Sequence, residues 1–274
     1  MHNIKGTHKG NFAAGKIMGP IWDEFSPSTG RKEHHVFLFD VIQEFSPNNK
    51  NVRILETCLG SGIDAIPLAK AGYTLTANEF DPHYRETAKK RIAEEKVEVE
   101  IIGYNWLNFD QYQPQSLFDI ALCIGNSICY IFGHDQQMTV IRNFKNLIRN
   151  GGLLLIDERN FQFMLDNHDE ILAKKDSVIS NHSGLNKHVL YGSEKYYPYP
   201  VEISNDMIVM GLWQQGKMEP ISRFYFYPFK RGELLKMLED VFGKENVDVY
   251  SDYRKGRITE AGFYQYVCRK KIIP

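Results

Sequence analysis

The hydrophobic positions of the chain fall into short apolar runs separated by stretches with helical spacing. Val52-Arg53-Ile54-Leu55, Thr74–Glu79, Val97–Ile102, Phe118–Ile124 and Leu153–Asp157 are β-rich, and their apolar residues follow one another almost without interruption. Strands covered on both faces read this way, whereas half-exposed strands alternate. Between them, helical spacing runs over Ile63–Ala71, closed by Gly72, and from Asp81 or Pro82 to about Glu95. A third helix is expected over Gln136–Arg149, ended by Asn150-Gly151-Gly152. Proline in the first turn and glycine past the last periodic residue are start and stop signals. The alternation predicts parallel βαβ units, hence an α/β fold with a doubly wound, Rossmann-like sheet.

The flanks differ. Residues 1 to about 30 mix Gly, Pro, Ser and His with scattered aromatics and predict an irregular arm. Val36, Phe37, Phe39, Val41, Ile42 and Phe45 then suit a helix before the Pro47-Asn48-Asn49 break. After Asp157, runs such as Met207–Trp213 predict antiparallel strands capping the sheet. Lys230–Phe242 reads as a helix with Leu234, Leu235, Leu238 and Val241 on one face, and Val247–Tyr250 and Gly262–Arg269 as closing strands. The expected organisation is an arm and helix (1–45), a core (46–160), an antiparallel cap (161–229) and a helix with strands completing the sheet (230–274).

Composition narrows the partners. The chain has 274 residues, and 33 Lys plus Arg against 34 Asp plus Glu leave a formal net charge of −1. That balance argues against dedicated binding of nucleic acid or anionic membrane. Cys58, Cys123, Cys129 and Cys268 form no CxxC pair and sit in apolar stretches, as reduced thiols would. The start of the chain lacks an apolar leader, and Gly152–Ile156 is too short to span a bilayer, so a cytoplasmic location is expected. His34 and His35 are adjacent, whereas helical residues face one another three or four apart; with no HExxH or Cys/His spacing, no metal site is expected.

The chemistry centres on Ile54-Leu55-Glu56-Thr57-Cys58-Leu59-Gly60-Ser61-Gly62. A glycine loop between a first strand and helix lets a ligand approach the backbone. Gly60, Gly62 and Ala65 formally satisfy G-x-G-x-x-G/A, and Glu79 lies where a carboxylate accepts from ribose hydroxyls, so a dinucleotide stays in competition. Glu56, however, would repel a pyrophosphate and suits a cationic ligand. Asn105-Trp106, after the third strand, suits the edge and face of an adenine. Together these point to S-adenosylmethionine, which carries a sulfonium and no phosphate.

On these residues the sequence resembles class I S-adenosylmethionine-dependent methyltransferases. Within them it resembles the glycine N-methyltransferase and glycine/sarcosine N-methyltransferase family, from about Trp22 to Lys270. Asn105-Trp106-Leu107, Cys123-Ile124-Gly125-Asn126-Ser127, Gly151 to Asn160 and Tyr225-Phe226-Tyr227-Pro228 carry the likeness. It implies a cofactor site of Glu56, Cys58, Gly60, Gly62, Glu79, Asn105, Trp106 and Ile124, over which Trp22 and Arg31 of the arm close. It also implies that Asn126 and Arg159 bind an acceptor carboxylate, with Tyr130, Tyr191 and Tyr227 around its amine. No residue is implied as a chemical catalyst; Asn126, Arg159 and Tyr227 would position the acceptor.

The implied reaction moves a methyl group from S-adenosylmethionine to a small amine or amino acid and leaves S-adenosylhomocysteine. Three departures bear on the acceptor: Glu56-Thr57-Cys58-Leu59, Tyr130 where the family often has His, and the Tyr196–Tyr199 segment. A different small amine, an NAD-dependent oxidoreductase and a non-catalytic cofactor-binding module remain in competition. Asn126-Ser127-Ile128-Cys129 is not the Asn-Pro-Pro-aromatic pattern of nucleic-acid amino methylation. The number of methyl groups and a homo-oligomeric state stay open.

Overall fold

The computed structural model describes residues 11, 13–21, 31–47, 51–181 and 195–272. Helix α1 (residues 13–21) and α2 (Arg31–Phe45) precede the sheet. The core then alternates β1 (Arg53–Glu56), α3 (Ala65–Lys70), β2 (Thr74–Asn78), α4 (Pro82–Glu94), β3 (Glu100–Ile102), β4 (Phe118–Cys123), α5 (His134–Leu147) and β5 (Ile148–Arg159). Three short helices follow, α6 (Gln162–Asp166), α7 (His168–Ala173) and α8 (Lys175–Asn181). Strands β6 (Tyr196–Ile203), β7 (Ile208–Gln214) and β8 (Ser222–Phe226) come next. Helix α9 (Glu233–Phe242) leads into β9 (Val247–Ser251), β10 (Arg254–Lys255) and β11 (Phe263–Arg269).

Eight strands form one sheet in the order β10-β9-β11-β5-β4-β1-β2-β3. Neighbours from β5 to β3 are parallel, and β11 runs antiparallel between β5 and β9. The chain moves outward in opposite directions from β1 and β4, which makes their carboxyl ends a topological switch point, where open α/β sheets bind ligands. One apolar core, with Leu55, Cys123, Leu154 and Ile156, faces α5 and α9. The other, with Ile54, Leu122, Leu153 and Leu155, faces α2, α3 and α4. Alternate strand residues feed opposite cores, which explains the unbroken apolar runs.

Two expectations are corrected. The arm is not irregular throughout, because residues 13–21 are helical. Ala14 and Met18, one turn apart, are buried in the core, and tertiary packing overrides the poor helix propensity of Gly15, Gly19 and Pro20. Residues 162–181 are helical rather than antiparallel, and the second sheet begins only at Tyr196. A smaller shift concerns β5, which starts at Ile148, where helix was expected to continue. Gly152 lets the strand cross closely there, since a Cβ would meet the Asp119 carbonyl oxygen at 2.6 Å.

Candidate active site

A cavity of about 250 Å³ opens over the carboxyl ends of β1, β2 and β4. Its floor is the glycine loop. Gly60 and Gly62 have φ of +55° and +84°, conformations that favour glycine. Side chains pin the loop's segment 60–64 at three points. The Gly60 N–H donates to Glu79 Oε2 at 2.8 Å. Arg91 donates to the Ser61 carbonyl and hydroxyl at 3.0 and 2.9 Å. The Asp64 carboxylate, where α3 begins, meets His35 Nε2 at 2.9 Å. Glu79 also accepts from the Asp81 N–H at 2.8 Å. Burial pushes the Glu79 carboxyl up to about 7 against the pull of these two donors.

The walls are braced by buried amides. Asn78 at the end of β2 donates to the Thr57 carbonyl at 3.2 Å and exchanges two bonds with the Tyr104 backbone, joining the ends of β1, β2 and β3. Trp106 donates its indole N–H to the same Thr57 carbonyl at 2.7 Å and stands edge-on to Phe144. Asn105 accepts from the Leu107 N–H at 3.0 Å and so caps the short helix after β3. The Cys58 thiol donates to the Ile124 carbonyl at 3.2 Å, and the adjacent Cys123 thiol and burial raise its pKa.

The loop after β4 is held from β5. Asp157 accepts from the Gly125 and Asn126 N–H groups at 3.0 and 2.6 Å. Asn126, at φ +63°, accepts the Arg159 N–H with Oδ1 at 2.9 Å. The Arg159 guanidinium lies over the Phe263 ring at 4.5 Å, and the residue is only 2% exposed. Tyr130 packs on Phe226, while the Tyr227 hydroxyl donates to Glu233 at 2.6 Å.

Of the sequence-derived candidates, Cys58, Gly60, Glu79, Asn105, Trp106, Ile124 and Tyr130 line the cavity. Gly62 belongs to the same loop. Glu56, Asn126, Arg159 and Tyr227 are not in its wall; the first three are buried behind it, at the ends of β1, β4 and β5. Trp22 and Tyr191 lie outside the described residues, as does the side chain of Arg31, whose backbone opens α2.

Sequence reasoning missed Asp64 and the wall supplied by α1. Asn11, Ala14, Gly15 and Met18 face the cavity. Gly15 lies so close to the Asp81 carboxylate that a Cβ would collide with it. The one signal available was glycine at positions 15 and 19, one turn apart, which permits close approach to another backbone.

A methyltransferase-domain family model matches residues 54–152, the stretch that builds β1 to β5 and the cavity floor. Those residues match a methyltransferase domain, and the chain is similar to class I, S-adenosylmethionine-dependent methyltransferases. The methyltransferase fold extends well beyond that match. The structure of an S-adenosylmethionine-dependent methyltransferase from Clostridium acetobutylicum superposes with a TM-score of 0.65 at 14% identity, covering 97% of this chain and all of that one.

In sequence, the chain resembles glycine N-methyltransferase of Rattus norvegicus, with 29% identity over 53% of this chain and 52% of that protein. It thus spans about half the length of that relative. Glycine/sarcosine N-methyltransferase of Halorhodospira halochloris is 22% identical over 91% of this chain and 86% of that protein. No helix among the described residues is long and apolar enough to cross a membrane. Among those residues no group of three or more His, Cys, Asp or Glu side chains could hold a metal ion.

Proposed function

We propose that the protein is an S-adenosylmethionine-dependent N-methyltransferase acting on the amine of a small amino acid such as glycine or sarcosine. One observation carries the cofactor half: the carboxylates of Glu79 and Asp81 line the cavity among amides, hydroxyls, apolar and aromatic groups, with no Lys or Arg among the described lining residues. That lining suits a sulfonium attached to adenosine and repels a pyrophosphate, which counts against the dinucleotide alternative. Glu79 would take the ribose hydroxyls, and Asn105 and Trp106 the adenine. Gly60 and Gly62 would let the backbone approach the amino-acid end.

Bound there, the cofactor supplies an activated methyl group on a sulfonium sulfur. The protein's part is then largely positioning, which is worth up to about 7–11 kcal/mol in favourable cases. Arg159, a buried planar cation braced by Asn126, would hold the acceptor carboxylate with two parallel bonds. The acceptor amine must lose its proton to attack, and desolvation beside a sulfonium lowers its pKa without a dedicated protein base. Helix α1 would exclude water from the cofactor side.

Tyr130 in the cavity wall favours a second reading, in which the same reaction serves a different small amine. Labelled S-adenosylmethionine incubated with glycine, sarcosine, dimethylglycine and larger amines, read by mass spectrometry, separates the two. Label in glycine or sarcosine supports the first. Label only in amines without a carboxylate overturns it. Calorimetry with NAD tests the oxidoreductase alternative, and no turnover with any amine would leave a binding module.

A further inference from the structure

Asp64 occupies a position where an aspartate ordinarily caps a helix, yet its side chain makes no capping bond to α3. It turns instead toward α2. His35 Nε2 lies 2.9 Å and His34 Nε2 3.3 Å from the same carboxylate oxygen, Oδ1. The two imidazoles are 5.7 Å apart and tilted by 55°. Their adjacency, unsuited to a pair of metal ligands on a helix, lets both lie beside a single carboxylate oxygen, with which His35 shares a hydrogen bond. His34 is fixed in turn by the edge of the Tyr253 ring at 5.8 Å. Asp64 is 5% exposed, and what it does expose lines the cavity.

We infer that Asp64 is a positioning residue for the cofactor, clamped by His34 and His35 so that α2 fixes the far end of the glycine loop. The inference rests on the cofactor reading above. The other two pins on the loop, Glu79 at Gly60 and Arg91 at Ser61, come from the β2–α4 side of the cavity. Only the Asp64 clamp comes from α2. It therefore sets the width of the floor between its two sides, and its loss lets residues 62–64 drift from the cavity without unmaking the sheet. The clamp acts through geometry, so it serves the sulfonium cofactor and its uncharged thioether product alike.

The test is a double-mutant cycle on the full chain, with dissociation constants for S-adenosylmethionine and S-adenosylhomocysteine measured by calorimetry. Asp64→Ala and His35→Ala should each weaken both ligands at least tenfold, and the double variant should be no weaker than Asp64→Ala. Asp64→Asn, whose amide oxygen can still accept from His35, should stay within about threefold of wild type, and it serves if Asp64→Ala fails to fold. In turnover, the active variants should show raised KM for the cofactor and kcat within twofold of wild type.

Additive losses, or a silent His35→Ala, overturn the clamp. So does a loss confined to the sulfonium ligand in Asp64→Asn, which would make Asp64 a direct charge contact. Wild-type protein that binds neither ligand overturns the cofactor reading itself.

Discussion

The side chain of Asn11 makes two hydrogen bonds to the backbone of Tyr225: Nδ2 donates to its carbonyl at 3.2 Å, and Oδ1 accepts from its N–H at 2.8 Å. Strand β8 lies at the edge of the three-stranded sheet, so one amide side chain occupies the place of a neighbouring strand. The bond pair fastens Asn11, just before α1, to β8. Each neutral bond contributes about 1 kcal/mol. Asn11→Ala should therefore speed cofactor dissociation several-fold while the melting temperature changes little. Stopped-flow release measures this; an unchanged rate means that α1 is not held by Asn11.

At Gly15 two effects oppose. Replacing a helical glycine with alanine stabilises by about 1 kcal/mol in isolation. Here the new Cβ would run into the Asp81 carboxylate, which accepts from the His83 N–H at 2.8 Å and caps α4. Loss of such a cap costs about 1 kcal/mol, and displacing α1 costs more. Gly15→Ala should lower stability and weaken cofactor binding, and Asp81→Ala in the same chain should remove part of the penalty. Stabilisation by the single change would show that α1 does not approach α4 so closely.

Glu79 links cofactor affinity to pH. Its carboxyl, pushed up to about 7 by burial, is largely protonated at pH 6 and ionised at pH 8. On the proposed function the ionised form would accept from ribose hydroxyls and attract a cation, so affinity for S-adenosylmethionine should rise with pH across that interval. Glu79→Ala should weaken binding by about 1–3 kcal/mol and flatten the profile. Calorimetry at the two pH values decides, and a flat wild-type profile removes Glu79 from the role.

Glu158 predicts the opposite trend for stability. It is a buried residue of β5, accepts the Tyr266 hydroxyl at 2.5 Å, and burial raises its carboxyl from 4.5 to about 8. A raised acid contributes stability below its unfolded value and loses it as pH climbs through the folded one. The melting temperature of the ligand-free protein should fall between pH 5 and 8, less steeply in Glu158→Gln, which keeps the acceptor for Tyr266.

Arg159→Lys keeps the charge and loses the planar fork. For an amino-acid acceptor it should lower kcat/KM at least tenfold, about 1.4 kcal/mol, and leave cofactor affinity nearly unchanged. Normal methylation of glycine or sarcosine by this variant would refute the assignment of Arg159 to the acceptor carboxylate.

The parallel sheet was legible because both faces of each central strand are covered, so the apolar runs are continuous. The glycine loop and Glu79 were legible from spacing alone. Helix α1 was not, since Gly15, Gly19 and Pro20 oppose a helix locally and only contact with α4 and the core selects one. The helices at 162–181 escaped notice because each is five to seven residues long with few buried positions. Asp64 was unreadable for another reason. Its partners lie 29 and 30 residues earlier, and no local pattern marks an aspartate that faces away from its own helix.

The strands β6, β7 and β8 share no ladder with the eight-stranded sheet. Their backbone tie to the loop after β4 is the bond from the Tyr227 N–H to the Cys129 carbonyl, at 2.7 Å. Register errors travel along ladders, so an insertion, deletion or exchange within 196–226 does not reach the strands that carry the glycine loop. A chimaera that grafts another chain's 196–226 segment here, with a strand at 225 to receive Asn11, should therefore keep its cofactor affinity.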